Sequence, residues 1–72
     1  MTPELLQTVG QALYSHQWQS ELARALGIAD RTIRRWFAGS YPVPNGIELE
    51  LADLCKARGG ELLEIAEKLI SK

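Results

Sequence analysis

The chain has 72 residues, 46% of them apolar, and eight Lys/Arg stand against nine Asp/Glu for a net charge of −1. That length suits one small domain with a marginal core, since folding ~60 residues buries only about 60% of the surface the chain exposes, and help from self-association is therefore expected. The apolar share excludes a disordered chain, the lone Cys55 excludes an internal disulfide, and the short, charge-interrupted apolar stretches exclude a membrane span.

Thr2-Pro3-Glu4 reads as a helix start: a capping hydroxyl, a proline at the first helical position and an acid at the positive end. Leu5, Leu6, Val9, Ala12 and Leu13 recur at helical spacing, which predicts a first helix to about Tyr14. Gly10 weakens it but permits a close approach by a neighbour. Ser15-His16-Gln17 is a short connector. A second helix follows from about Trp18 to Leu26, with Leu22, Ala23 and Leu26 inward, and Gly27 suits a left-handed C-terminal residue. A third helix runs from about Asp30 to Ala38, with Ile33, Trp36 and Phe37 on its apolar side and Gly39 ending it. Ser40 to Gly46 is a loop stiffened by Pro42 and Pro44. Asn45 is expected to cap a fourth helix that reaches about Arg58, with Ile47, Leu51, Leu54 and Cys55 inward. Gly59-Gly60 is expected to break the chain before a fifth helix over 61–71, whose stripe is Leu62, Ile65, Ala66 and Leu69, widened by Leu63 and Ile70. The fold class is all-α, one domain over 1–72, with no strand alternation, repeat or low-complexity tract.

The charge is unevenly spread. Residues 17–41 carry +2 and residues 45–72 carry −2. The positive part coincides with the helix pair, where three positions have separate steric reasons. Ala23 lies where the second and third helices approach most closely, Gly27 permits the sharp turn, and Ile33 packs back beneath the second helix. A short rigid pair that presents Arg31, Arg34 and Arg35 is shaped to enter the DNA major groove.

Residues 18–44, WQSELARALGIADRTIRRWFAGSYPVP, resemble the helix-turn-helix of phage repressor and Cro-type regulators. The likeness rests on Gln19, Glu21-Leu22-Ala23, Leu26-Gly27, Thr32-Ile33, Arg35-Trp36, Gly39 and a following proline, and covers roughly Leu5 to Cys55. It implies a five-helix, lambda-repressor-like domain with its helix-turn-helix core at 19–38 and a third helix that reads DNA. It implies base contacts from Asp30, Arg31 and Arg35, with Thr32 nearby, and a phosphate contact from Gln19. Two departures stand out. Ala29 replaces the usual Ser or Thr cap, so Asp30 is expected to cap instead. Ala38 replaces an Asn before the glycine, leaving Ser40 and Tyr41 as substitute phosphate contacts.

The residues argue some roles without the family. Arg31 can reach guanine O6 and N7 with two parallel hydrogen bonds, and Arg35 lies one turn further on the same face. Arg34 is rotated toward phosphate, or pairs with Asp30 at i, i+4. Thr32 suits a thymine methyl or a phosphate. Asp30 either orients Arg34, the preferred reading, or accepts from cytosine N4. Tyr41 either shields the core or brings its hydroxyl to phosphate.

Other chemistry is thin. His16 has no second ligand, so no metal and no cofactor is expected. Ser15 and His16 are adjacent without an orienting Asp or an oxyanion site, so no enzyme is expected. Cys55 reads as a small buried apolar residue.

The expected function is sequence-specific binding of palindromic double-stranded operator DNA by a transcriptional regulator that represses its own operon. The resemblance implies an origin in a phage or mobile element; regulators beside anti-CRISPR or toxin genes are in range, and the residues do not select among them. A homodimer is expected because one copy offers few base contacts; two copies would meet half-sites about 34 Å apart. Its candidate interface is Leu49, Leu62, Leu63 and Ile70. Neither a membrane nor a small molecule is expected as a partner, and no signal peptide is evident, so the expected location is cytoplasmic and, when bound to DNA, nucleoid-associated. The competing readings are a helical protein-interaction module without DNA binding, and a non-specific architectural DNA binder, which the low positive charge disfavours.

Overall fold

A computed structural model describes residues 1–71. The described chain is all-helical: α1 (Pro3–Tyr14), a 3-10 turn (Ser15–Gln17), α2 (Trp18–Leu26), α3 (Asp30–Phe37) and α4 (Asn45–Ile70). The expected five helices are therefore four α-helices and a 3-10 turn. The expected break at Gly59-Gly60 is absent, and the fourth and fifth helices are one continuous rod of 26 residues, about 39 Å at 1.5 Å per residue. Glycine lowers helix stability but does not forbid the conformation, and strong helix formers such as Leu54, Lys56, Ala57, Leu62 and Leu63 surround the pair.

The start of α1 matches its sequence. Thr2 Oγ accepts from the Leu5 amide at 3.1 Å, with Pro3 at the first helical position. The exit is less ordinary: Ser15 has φ 62° and ψ −131°, the positive-φ region that favours glycine. This reversal turns the chain into the 3-10 turn and drops Trp18 onto α1. Trp18 is 4% exposed and lies against the bare backbone of Gly10, where an added Cβ would stand 2.1 Å from Trp18 Cε3. Its ring and that of Phe37 meet edge to face in a T-shaped pair with centroids 5.4 Å apart.

The core joins Leu6 and Leu13 of α1, Trp18, Leu22 and Ala23 of α2, Ile33 and Trp36 of α3, Val43 of the loop and Leu51 of α4. Leu6, Leu22, Ala23 and Ile33 are fully buried, so the close approach expected at Ala23 and the packing of Ile33 beneath α2 are both present. Two expectations for α4 need correction. Pro44, not Asn45, is the cap residue; Asn45 is already helical and no side-chain cap bond forms. Cys55 is exposed, because the body meets α4 along Ile47, Leu51 and Leu54, and Cys55 lies about 100° round the helix from Leu54.

The body ends where α4 passes α1. Arg58 donates from Nη1 to the Leu13 carbonyl at 3.2 Å, and its guanidinium lies 5.9 Å from the Tyr14 ring centroid. Every residue from Gly60 to Ile70 is exposed, and the molecule measures 50 × 23 × 21 Å. The C-terminal stripe does not pack on α1. No helix among the described residues is long and apolar enough to cross a membrane.

Candidate nucleic-acid interface

Both helices of the central pair end in the same backbone device. At the end of α2, Gly27 has φ 71°, the Ile28 amide donates to the Ala23 carbonyl at 3.0 Å, and the Gly27 amide donates to the Arg24 carbonyl at 3.3 Å. At the end of α3, Gly39 has φ 79°, the Ser40 amide donates to the Arg35 carbonyl at 3.0 Å, and the Gly39 amide donates to the Trp36 carbonyl at 3.1 Å. These are Schellman closures, which satisfy the last carbonyls of a helix through one left-handed residue. The first sets how sharply α3 leaves α2. The second folds the following loop back along α3.

At about 100° per residue, Arg31, Arg34 and Arg35 occupy an arc of roughly 100° on α3, opposite Ile33 and Trp36. Ile33 is fully buried and Trp36 nearly so, which forces all three arginines into solvent. Among the described residues the ion pairs are the Met1 ammonium with Glu48 at 2.9 Å and Arg24 with Glu21 at 3.0 Å. Neither involves α3. The charge of Arg24 is compensated locally, whereas the three α3 guanidiniums have no carboxylate partner within ion-pair distance among the described residues.

Asp30 departs from both expected roles. It is the first residue of α3 rather than its cap, which is Ala29. Its carboxylate accepts from Ser20 Oγ at 3.3 Å and makes no pair with Arg34. That bond ties the start of α3 to the first turn of α2, and the negative charge lies at the positive end of the α3 dipole. Arg34 is thereby left open to solvent. Gln19, half-buried, lies next to Ser20 in the same first turn of α2. Thr32 is half-buried at the edge of the arginine face, and its amide donates to the Ala29 carbonyl at 3.0 Å.

Ser40 and Tyr41 are exposed at the far end of α3, and Tyr41 has a role that the linear sequence hides. The Gly39 reversal lays its ring beside α3, and the Arg35 guanidinium stands 5.5 Å from the ring centroid. A cation at that range over an aromatic face is attracted by the ring quadrupole. The visible signal is the Ala38-Gly39-Ser40-Tyr41 run: a glycine at C′ returns the next residues toward the last turn of the helix.

Of the other candidate residues, Leu49, Leu62, Leu63 and Ile70 are all exposed on α4, but they do not share one face. Leu49, Leu63 and Ile70 fall within about 60° of one another, whereas Leu62 lies about 80–140° away from them. Among the described residues no pocket forms, and no group of three or more His, Cys, Asp or Glu converges as metal ligands would.

The arrangement is thus a short cationic ridge on a rigid support: Arg31 and Arg35 along its crest, Arg34 on one flank, and Gln19, Ser40 and Tyr41 at its margins. Planar guanidiniums held this way can donate two parallel hydrogen bonds to a base edge or to a phosphate. In comparisons with protein-family models, with curated proteins and with solved structures, the chain matches none of them.

Proposed function

We propose that this protein is a sequence-specific double-stranded DNA-binding transcriptional regulator that reads the major groove with α3. The observation that carries the reading is the set of three α3 arginines, turned to solvent by the burial of Ile33 and Trp36 and, among the described residues, unpaired by any acid. A solvated structural helix of a protein with net charge −1 has nine acidic side chains available as partners, and this ridge uses none of them. The α2–α3 pair with its Gly27 closure is also the part that resembles phage repressor and Cro-type regulators.

In this reading Arg31 and Arg35 face guanine in the groove and Thr32 faces a thymine methyl or a phosphate. Arg34, Gln19 and Ser40 meet the backbone on either side, and the Tyr41 ring, expected from the sequence as a further phosphate contact, instead holds Arg35 at the groove. Asp30, held by Ser20, sets the start of the reading helix rather than reading a base. Two copies on a palindromic operator would supply the contacts one copy lacks, and occlusion of the operator would repress the protein's own operon in a phage or mobile element, on the cytoplasmic nucleoid.

The test is selection of bound sequences from a random duplex pool, then gel shifts of the selected palindrome and a scrambled control over a salt series. The selected duplex should bind far more tightly than the control, with affinity falling as salt rises. Arg31→Ala should lose about 1–3 kcal/mol of discrimination at one base pair per half-site, while Gln19→Ala should weaken all duplexes alike. Full affinity after removal of both Arg31 and Arg35 would defeat the assignment. The exposed apolar end of α4 favours a second reading, a protein-interaction module; under it no sequence is enriched from the pool.

A further inference from the structure

Within the body, α4 is held along one arc. Ile47, Leu51, Leu54 and Arg58 fall within about 60° of one another at 100° per residue. Past the body the arc continues in apolar residues: Ile65 and Leu69 lie within it and Leu62 only about 20° beyond. Their exposures are 52%, 61% and 58%. The stripe that fixes α4 to its own chain thus runs on beyond the last contact at Arg58, with nothing from the described chain to cover it. Leu62, Ile65 and Leu69 are spaced three and four apart, the alternation of a two-helix seam.

The charges beside this stripe are arranged for one kind of partner. Glu61 and Lys68 lie seven residues apart, hence on the same edge of the stripe, with opposite signs. Two turns of helix separate them, too far to pair within one chain. A second α4 running antiparallel, related by a two-fold axis level with residues 64–65, brings Glu61 of each copy opposite Lys68 of the other. The same register seats Leu62 of one copy between Ile65 and Leu69 of the second. Glu67 points to the opposite side of the helix and stays in solvent; Glu64, one turn before Lys68, lies behind it about 40° further from the stripe. In a parallel pair at equal register Glu61 meets no lysine.

We propose that the overhanging half of α4, residues 61–70, is the seat of a second copy of this chain, paired antiparallel through Leu62, Ile65 and Leu69 with reciprocal Glu61–Lys68 ion pairs. The closed two-fold pairing leaves both α3 ridges outside the seam. It narrows the expected interface to Leu62: Leu63, Ile70 and Leu49 each point more than about 100° away from the centre of the stripe and are left out. The inference rests on the two-copy part of the proposed function but not on its arginines, so the two fail separately.

Sedimentation equilibrium of the full chain without DNA tests it. The wild type should sediment at about twice its 8.0 kDa mass at micromolar loading. Ile65→Lys should raise the dissociation constant by more than about tenfold with far-UV helix content retained, since the side chain it replaces is already half in solvent. Glu61→Lys and Lys68→Glu should each weaken the dimer about fivefold, and the double variant should restore it. A monomer throughout the range, a dimer indifferent to Ile65→Lys, or a double charge variant no tighter than the single ones would overturn the proposal. Arg31→Ala with Arg35→Ala should leave the dimer intact, which separates this result from any failure to bind DNA.

Discussion

Substituting alanine for glycine should have opposite signs at two places in this protein. In a helix interior the exchange normally adds about 1 kcal/mol, because glycine loses more backbone freedom on folding. At Gly10 it meets an obstacle: the new Cβ would stand 2.1 Å from Trp18 Cε3, 2.6 Å from Cδ2 and 3.0 Å from Cζ3. Ordinary contact begins near 3.4 Å, so the indole must retreat by more than an ångström. It has little room to do so, being 4% exposed and edge-packed on Phe37 at 5.4 Å between centroids. Overpacking of this kind costs about 1–3 kcal/mol, and this contact belongs at the upper end. After the gain in helix propensity, Gly10→Ala should lose about 1–2 kcal/mol and lower Tm by roughly 5–15 °C. At Gly59 and Gly60 an added Cβ meets nothing within 4 Å, so alanine at either position should stabilise by about 0.5–1 kcal/mol. Thermal and urea unfolding followed by far-UV circular dichroism, with tryptophan emission reporting on the indole, reads both signs. A Gly10→Ala protein as stable as Gly59→Ala would refute the account of how α2 docks on α1.

Two further outcomes follow from local geometry. Ser15→Gly should stabilise by about 1 kcal/mol, since a non-glycine residue at φ 62° and ψ −131° is strained; unchanged unfolding would show that the residue carries no strain. Tyr41→Ala should weaken operator binding by about 0.5–1 kcal/mol through release of Arg35, whereas Tyr41→Phe keeps the ring and should bind as wild type. If Tyr41→Phe loses as much as Tyr41→Ala, the hydroxyl is the contact and the stacking is incidental.

Several features of the candidate site are legible in the residue order. Gly27 announces a left-handed closure because few other residues tolerate one, and it has φ 71°. Ala23 and Ile33 announce a close helix pair and are both fully buried. The pairings of polar groups were not legible in the same way. Asp30 and Arg34 stand at the spacing for an ion pair, but Ser20, ten residues earlier, reaches the carboxylate across the turn. Tyr41 reads as an ordinary loop aromatic until the Gly39 closure brings its ring to Arg35.

The residue order alone determined the helical periodicity of this chain, its cap at Thr2, its reversal at Gly27 and the alternation that places arginines opposite Ile33 and Trp36. Those are local properties, set by backbone sterics and by the 3.6-residue turn. Tertiary structure decided whether Gly59-Gly60 breaks a helix or lies within one, which side of α4 meets the body, and where that body ends. Such outcomes depend on distant partners: α1 grips α4 as far as Arg58, and beyond it the helix has only itself. Glycine at 59 and 60 permits a break but does not compel one, so the exposed apolar end of α4 could not be located from spacing alone.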